Sequence, residues 1–208
     1  FGDLIGGDTT GRQKPSGYDE MAFDLKAKFR LGDNQFITLA HQYFRQEEQP
    51  VFHKIQLENF LRNHFTEQQR QLTYARWQYQ PKGSKDRLSA TLSLQNTIEG
   101  RESQKNGSST LTEEEDKVRT LGFSMQYAYY PTERFRLSSG AEIYSDLVHS
   151  TRVDINLISA GLATSKRGLY PDGSTHLSAA VYTLATWELP KWQFTGGARY
   201  NYFAITTK

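Results

Sequence analysis

From Thr120 to Tyr144 the chain runs TLGFSMQYAYYPTERFRLSSGAEIY, and its apolar residues fall on alternate positions. Leu121, Phe123, Met125, Tyr127 and Tyr129 interleave with Thr120, Gly122, Ser124, Gln126 and Ala128. A two-residue period sends successive side chains to opposite faces of an extended chain, so this half is a strand with one apolar and one polar face. After Pro131-Thr132-Glu133-Arg134 the alternation resumes, with Phe135, Leu137, Ala141 and Ile143 against Arg136, Ser138, Gly140 and Glu142. Setting Tyr129 opposite Phe135 merges the two apolar rows, because directly paired residues share a face. A sheet with one greasy side follows.

The rest of the chain repeats the theme. Phe1 to Gly17 has no period and reads as a loop. Phe23, Leu25, Ala27, Phe29 and Leu31 alternate with Asp24, Lys26, Lys28 and Arg30 in a first strand, turned by Gly32-Asp33-Asn34. A second strand carries Ile37, Leu39 and Tyr43 to about Phe44. The polar stretch RQEEQPVFHKIQLENFLRNHFTEQQR then reads as a long loop, in which Ile55, Leu57, Phe60 and Leu61 could line a short helix. A third strand, Gln71 to Gln80, has aromatics on both parities and an ambiguous facing. Leu88, Ala90, Leu92 and Leu94 make a fourth, which gives way to a polar loop over Gly100–Asp116. The opening hairpin supplies strands five and six, Leu177–Leu189 strand seven and Trp192–Ile205 strand eight.

Connections one-two, three-four, five-six and seven-eight are expected to hold roughly two to five residues and the others roughly 17 to 30, the asymmetry of outer-membrane barrels, whose turns are short on one side and long on the other. No run approaches the ~18 apolar residues of a spanning helix, but barrel strands alternate and keep mean hydropathy low. There is no cysteine, which excludes disulfides and thiolate metal sites, and a net charge of +2 gives no reason to expect nucleic acid as a partner. The expected fold class is all-β, an antiparallel up-and-down meander of about eight strands forming part of a transmembrane β-barrel, with 1–208 a single barrel segment.

In such a barrel Asp24, Lys26, Lys28, Arg30, Ser89, Thr91, Gln95, Gln126, Arg136, Glu142, Gln193, Arg199 and Asn201 face the lumen. Tyr127, Tyr129, Tyr130, Phe135, Trp187, Trp192, Tyr200 and Tyr202, near strand ends, are expected in an interfacial aromatic girdle. One parity conflict arises: Trp187 and Leu189 imply an odd outward row in strand seven, whereas Trp192, Phe194 and Ala198 imply an even one in strand eight. A bulge would reconcile them, as would an outward row of Ala180, Tyr182 and Leu184.

Catalytic chemistry finds little support. The five histidines, His41, His53, His64, His149 and His176, are scattered without an HExxH spacing, so neither a metal site nor a catalytic set is expected. Pro171-Asp172-Gly173 in RGLYPDGST is first a turn former, and Glu113-Glu114-Glu115-Asp116 reads as a solvated loop tip.

Several stretches resemble TonB-dependent outer-membrane receptors. Arg167-Gly-Leu-Tyr-Pro-Asp-Gly-Ser174 is similar to that family's R-x-x-Y/F-P-D-G-S element, Trp187-Glu188 to the acidic residue near a Trp that ends its next strand, and Gly197-Ala198-Arg199-Tyr200-Asn201 to its G-x-R-Y-D/N element. SGYDE (16–20), VFHK (51–54) and RQLTYARWQYQP (70–81) are also similar to members of the family, including those of the haem-receptor type, although the paired elements that mark the haem-receptor subgroup are not found. The resemblance implies a barrel of about 22 strands around a plug, of which this chain, with neither plug nor TonB box visible, would be a fragment. It implies outer-membrane lipid, a small nutrient ligand and an inner-membrane energy-transducing protein as partners, with no resident cofactor and no enzyme activity. His53 and His64, beside Phe52 and Phe65 on the loop after strand two, are the candidate ligand-binding residues, since imidazole ligates haem iron.

The function expected is therefore energy-coupled uptake of a scarce nutrient such as a ferric siderophore, haem, a cobalamin or an oligosaccharide, at the cell outer membrane. The alternatives are a complete small eight-stranded outer-membrane barrel, adhesin or enzyme, and a soluble β-rich binding module.

Overall fold

The computed structural model describes residues 11, 13–159 and 162–207. Most of the expected N-terminal loop, 1–10 and 12, lies outside these residues. The elements are β1 (Asp19–Gly32), β2 (Gln35–Pro50), α1 (Phe52–Leu57), β3 (Phe60–Tyr79), β4 (Arg87–Lys105), β5 (Thr110–Thr132), β6 (Phe135–Asn156), β7 (Leu162–Arg167), β8 (Ser174–Glu188) and β9 (Gln193–Thr206). They form one antiparallel sheet in the order β1-β2-β3-β4-β5-β6-β8-β9. β7 pairs the last six residues of β6, Thr151–Asn156, in line with β8, which pairs Phe135–Val148. The fold is thus an all-β meander, with the short β7 as a ninth strand.

The registers fix which residues share a face. Phe29 pairs Ile37, Ile37 pairs Trp77, Trp77 pairs Ala90 and Ala90 pairs Met125. Met125 then pairs Ala141, Ala141 pairs Val181 and Val181 pairs Tyr200, so one row crosses all eight principal strands. This row and its neighbours make an apolar outer face. β3 belongs to it through Trp77 and Tyr79, while Leu72 and Tyr74 point inward, which resolves the ambiguous facing of that strand. Nothing among the described residues covers the outer face: Phe23, Leu25, Leu92, Leu121, Phe123, Val181, Trp187 and Tyr200 stay 42–69 % exposed. Among the described residues only Ala40, Leu111 and Ala180 are buried apolar residues. The accessible surface, 14059 Å², exceeds the roughly 9,900 Å² of a compact monomer of this mass.

Four expectations need correction. The 45–70 and 100–116 segments are not long loops: β2 runs to Pro50, β3 begins at Phe60, and β4 and β5 close on a tight turn at 106–109. Sequence hides this because the added strand is mainly polar on both faces, with Phe60, Leu61, Phe65 and Leu111 too scattered to set an alternation. The helix is confined to Phe52–Leu57, with Phe60 and Leu61 already in β3, whose ladder captures them. The pairing at the five-six turn is Tyr129 with Leu137 after a bulge at 130–131, two residues from the expected register and therefore on the same face. Tyr130 turns inward instead of joining the girdle, because its parity in β5 is the polar one and the Asp86 carboxylate accepts a 2.7 Å hydrogen bond from its backbone N–H.

The parity conflict between strands seven and eight dissolves without a bulge. Trp187 pairs Phe194 directly, so odd residues of β8 face with even residues of β9 across the Leu189–Trp192 turn. Tyr182 and Leu184 lie on the inner face, opposite Arg199 and Gly197.

Two glycines admit tyrosine rings on that inner face. Gly122 pairs Tyr144 and Gly140 pairs Tyr182, and a Cβ on either would run into the facing ring. At Gly140 it would also sit 2.8 Å from the backbone oxygen of Met125, which cannot swing aside. Gly140→Ala is therefore expected to destabilise the sheet by about 1–3 kcal/mol, read as a lower urea midpoint for the chain folded in detergent micelles.

Candidate functional site

The inner face collects most of the polar residues that alternate with the outward row. Lys28 on β1 and Arg136 on β6 line a single cavity of about 400 Å³. In a flat sheet five strand spacings would hold those strands about 24 Å apart, so the sheet is curled with its polar face concave. All the residues expected at the lumen sit on this face by register, including Asp24, Thr91, Glu142 and Asn201.

Above the level of Gln71, Asn96, Arg119 and Leu147 the character of the strands changes. Below it the outer face is mostly apolar; above it Gln69, Lys117, Glu115 and Glu113 enter the outer row beside Ile98 and Val153, and both faces become mainly polar. β3 to β6 run 19–23 residues each, about twice the 9–11 that a tilted strand needs to cross a bilayer. Their upper halves therefore stand beyond the apolar band as a polar wall.

That wall is held by paired charges. The Arg101 guanidinium donates to Asp116 Oδ2 at 3.2 Å and also pairs with Glu99, while Ser150 Oγ donates to Asp116 Oδ1 at 2.5 Å. Asp116 and Ser150 are 7 % and 3 % exposed, so the carboxylate is desolvated and its partners are what make that tolerable. Lower down, Asp146 accepts from Thr120 Oγ1 at 2.6 Å and lies 2.9 Å from His176 Nδ1. The carboxylate is central in this set, whereas nucleophile activation requires the imidazole in the middle. Arg199 reaches across β8 to Glu142 and lies over the Tyr182 ring, 5.6 Å from its centroid. Ser150 and Asp146 were missed, and Asp116, read from sequence as part of a solvated loop tip, is instead buried in β5, because these segments carry no alternation; only the register brings them together.

The RGLYPDGST stretch folds as a turn against β6. Asp172 Oδ1 accepts from the Ser150 backbone N–H at 3.2 Å and lies 3.1 Å from His149 Nδ1, while Ser174 Oγ donates to the Pro171 carbonyl at 2.6 Å. The backbone donor at Ser150, then His149, hold the Asp172 carboxyl below the usual carboxylate range. Ser150 thus joins the loop to the wall, since the Tyr170 N–H also donates to its Oγ at 3.1 Å.

The structure gives His53 and His64 separate carboxylate neighbours. His53, in α1, has Nε2 3.8 Å from Glu58 Oε1 and stays largely exposed. His64, in β3 opposite Pro50 and Glu102, has Nε2 3.3 Å from Glu48 Oε2. Glu48 has φ +53°, a left-handed conformation uncommon outside glycine, at the point where Thr66 bulges from the β3–β4 ladder. The hydrogen bond from Lys54 lowers the pKa of Glu58. Among the described residues no cluster of three or more His, Asp or Glu side chains could hold a metal ion.

At the opposite, short-turn end the 400 Å³ cavity is lined by Lys28, Arg76, Arg87 and Arg136, with Gln78 and Gln126 between them. Arg76 and Arg87 were not foreseen there, because the facing of the third strand was unresolved and Arg87 stands at a strand end.

No family model matches the sequence, and no curated protein matches it. Among solved structures the chain is similar to the ferric citrate transporter FecA in its unliganded form, with a TM-score of 0.70 over 92 % of this chain at 14 % identity. The likeness is one of fold, and this chain spans 30 % of the length of that one.

Asp172 supplies a pH test. Its lowered pKa means the loop contact is fully present above the ordinary aspartate value and is lost as pH falls through the lower folded value, below about pH 4. Asp172→Asn should speed amide exchange at Ser150 at pH 7, whereas the unaltered chain should retain that protection down to about pH 4, both read by hydrogen exchange.

Proposed function

We propose that this chain is a barrel segment of an outer-membrane receptor for energy-coupled uptake of a scarce nutrient such as a ferric siderophore, haem, a cobalamin or an oligosaccharide. The observation that carries the reading is the outer apolar band. From Leu121 to Tyr129 it runs eight residue steps, about 26 Å along the strand and about 20 Å along the normal at the usual barrel tilt, close to the ~25 Å apolar belt of membrane barrels. Similarity to a transporter fold, covering 30 % of that protein, supports a transport barrel completed by further strands.

In this reading 1–208 is one barrel segment of a longer chain. The polar upper wall stands outside the bilayer and meets the ligand, with His53 and His64 among the contacting groups. The concave lower wall faces a plug, through which an inner-membrane energy-transducing protein releases the cargo. No cofactor and no covalent step are involved. The closed eight-stranded alternative is disfavoured because β1 and β9 do not pair among the described residues, and the soluble module because no second layer covers the outer face.

Two measurements test this. Partition of the purified chain, followed by circular dichroism, should give a β-rich signal only in the detergent fraction; a monodisperse β-rich species in plain buffer would overturn the membrane reading. Met125→Arg, at the middle of the band, should cost about 2–4 kcal/mol of folding into lipid vesicles, while Glu113→Arg, on the outer face above the band, should cost about 0–1 kcal/mol.

A further inference from the structure

Several charges on the inner wall are paired, as at Arg101–Asp116 and Arg199–Glu142, whereas the short-turn cavity gathers cations alone. The chain holds 25 Lys and Arg against 23 Asp and Glu, so acids are not scarce. Yet the cavity draws Lys28 from β1, Arg76 from β3, Arg87 from β4 and Arg136 from β6, and no carboxylate lines it. Among the described residues none of these four forms an ion pair, whereas Arg45, Arg62, Arg101, Arg152 and Arg199 all do.

Four nearby acids are already engaged, and a fifth, Glu188, two residues along β8 from Arg136's partner Thr186, does not line the cavity. Glu142, in the same cross-strand row as Arg76, is held by Arg199. Asp86, next to Arg87, accepts from the Tyr130 N–H and the Tyr127 hydroxyl. Asp33 pairs with Arg30 and Glu133 with Lys85. Lys28 and Arg76 both pair in register with Thr38, which is 5 % exposed beneath them, so two like charges flank one buried hydroxyl residue. The Lys28 ammonium stands 4.5 Å from the Phe36 ring centroid, and Phe36 also lines the cavity.

We propose that this cavity is a binding site for a multivalent anion bearing carboxylate or phosphate oxygens. A concave wall lined by one sign of charge focuses its field on whatever enters. Three guanidinium forks supply the paired donors that planar or tetrahedral oxyanions accept bidentately. Gln78 and Gln126 add neutral amide donors, and Tyr130 a hydroxyl. At about 400 Å³ the space suits a small molecule. Four positive charges match an anion of high valence rather than chloride or acetate.

The inference rests on register and curvature and not on transport, so the two can fail separately: a detergent-free folded species would sink the membrane reading and leave this site intact. The test is isothermal titration of the full chain in detergent micelles with inorganic pyrophosphate at fixed ionic strength, with chloride and acetate as monovalent comparisons. Saturable pyrophosphate binding at one site per chain is expected, weakened at least about tenfold for each guanidinium removed in Arg76→Gln and Arg136→Gln, and weakened less in Arg76→Lys, which keeps the charge but not the fork. Lys82→Gln with Lys191→Gln, cations on turns at the same end that do not line the cavity, should leave it unchanged. Should either glutamine variant lose its β-rich spectrum, Lys28→Gln with Arg87→Gln makes the same comparison. Absence of saturable binding, equal binding of acetate, or equal weakening by the turn variants would each overturn the proposal.

Discussion

An antiparallel ladder leaves a side chain no freedom about which face it occupies, and everything else in this molecule depends on that. Once Trp187 stands opposite Phe194, every residue of β9 is assigned, and the same holds back through six further pairings to β1. Within the ladder the backbone satisfies its own donors and acceptors, the condition for lying in a medium without water, while the outer edges of β1 and β9 have no strand partner among the described residues. The side chains are then sorted by a period of two into one face that avoids water and one that seeks it. Neither face is optional, because a slip of one residue would carry Phe123 inward and Ser124 outward.

The two faces reach balance by different means. A half-exposed Leu or Phe leaves on the order of 1 kcal/mol of transfer free energy unused, and summed over the outer row this rivals the whole ~5–15 kcal/mol stability of an ordinary domain. A lipid surround removes that debt at once, which packing within a single layer cannot do. On the inner wall the difficulty is desolvation, met locally by sets such as Arg101, Asp116 and Ser150. The short-turn cavity meets it with no internal counter-charge at all.

Sequence alone revealed the lower half of the fold and little of the upper. Alternation made β1, β4, β5 and β6 legible where one face is apolar, and the inward set from Asp24 to Asn201 followed directly. It failed for the 45–70 and 100–116 segments because a strand whose two faces are both mainly polar carries no period, so β3 and β5 looked half their length. Tyr130 was misplaced because a tyrosine at a strand end suits a girdle and an inner wall equally, and only the hydrogen bond to Asp86 decides. The wall sets around Asp116 and Asp146 join residues 26–34 positions apart through the register, and no local pattern encodes such a meeting. His53 and His64 were legible as residue types, but their partners Glu58 and Glu48 come from the backbone path around α1.

Each principal strand lies beside its neighbour in the chain, and no connection crosses over another. Growth of such a sheet needs no long-range search, since the edge left by one hairpin is the template for the next. The same wiring makes the hairpin a unit of inheritance: a pair of strands can be duplicated or deleted in the gene and the ladder re-forms across the join. Barrels of different girth can therefore descend from one another by counting, with the sidedness of every retained strand preserved.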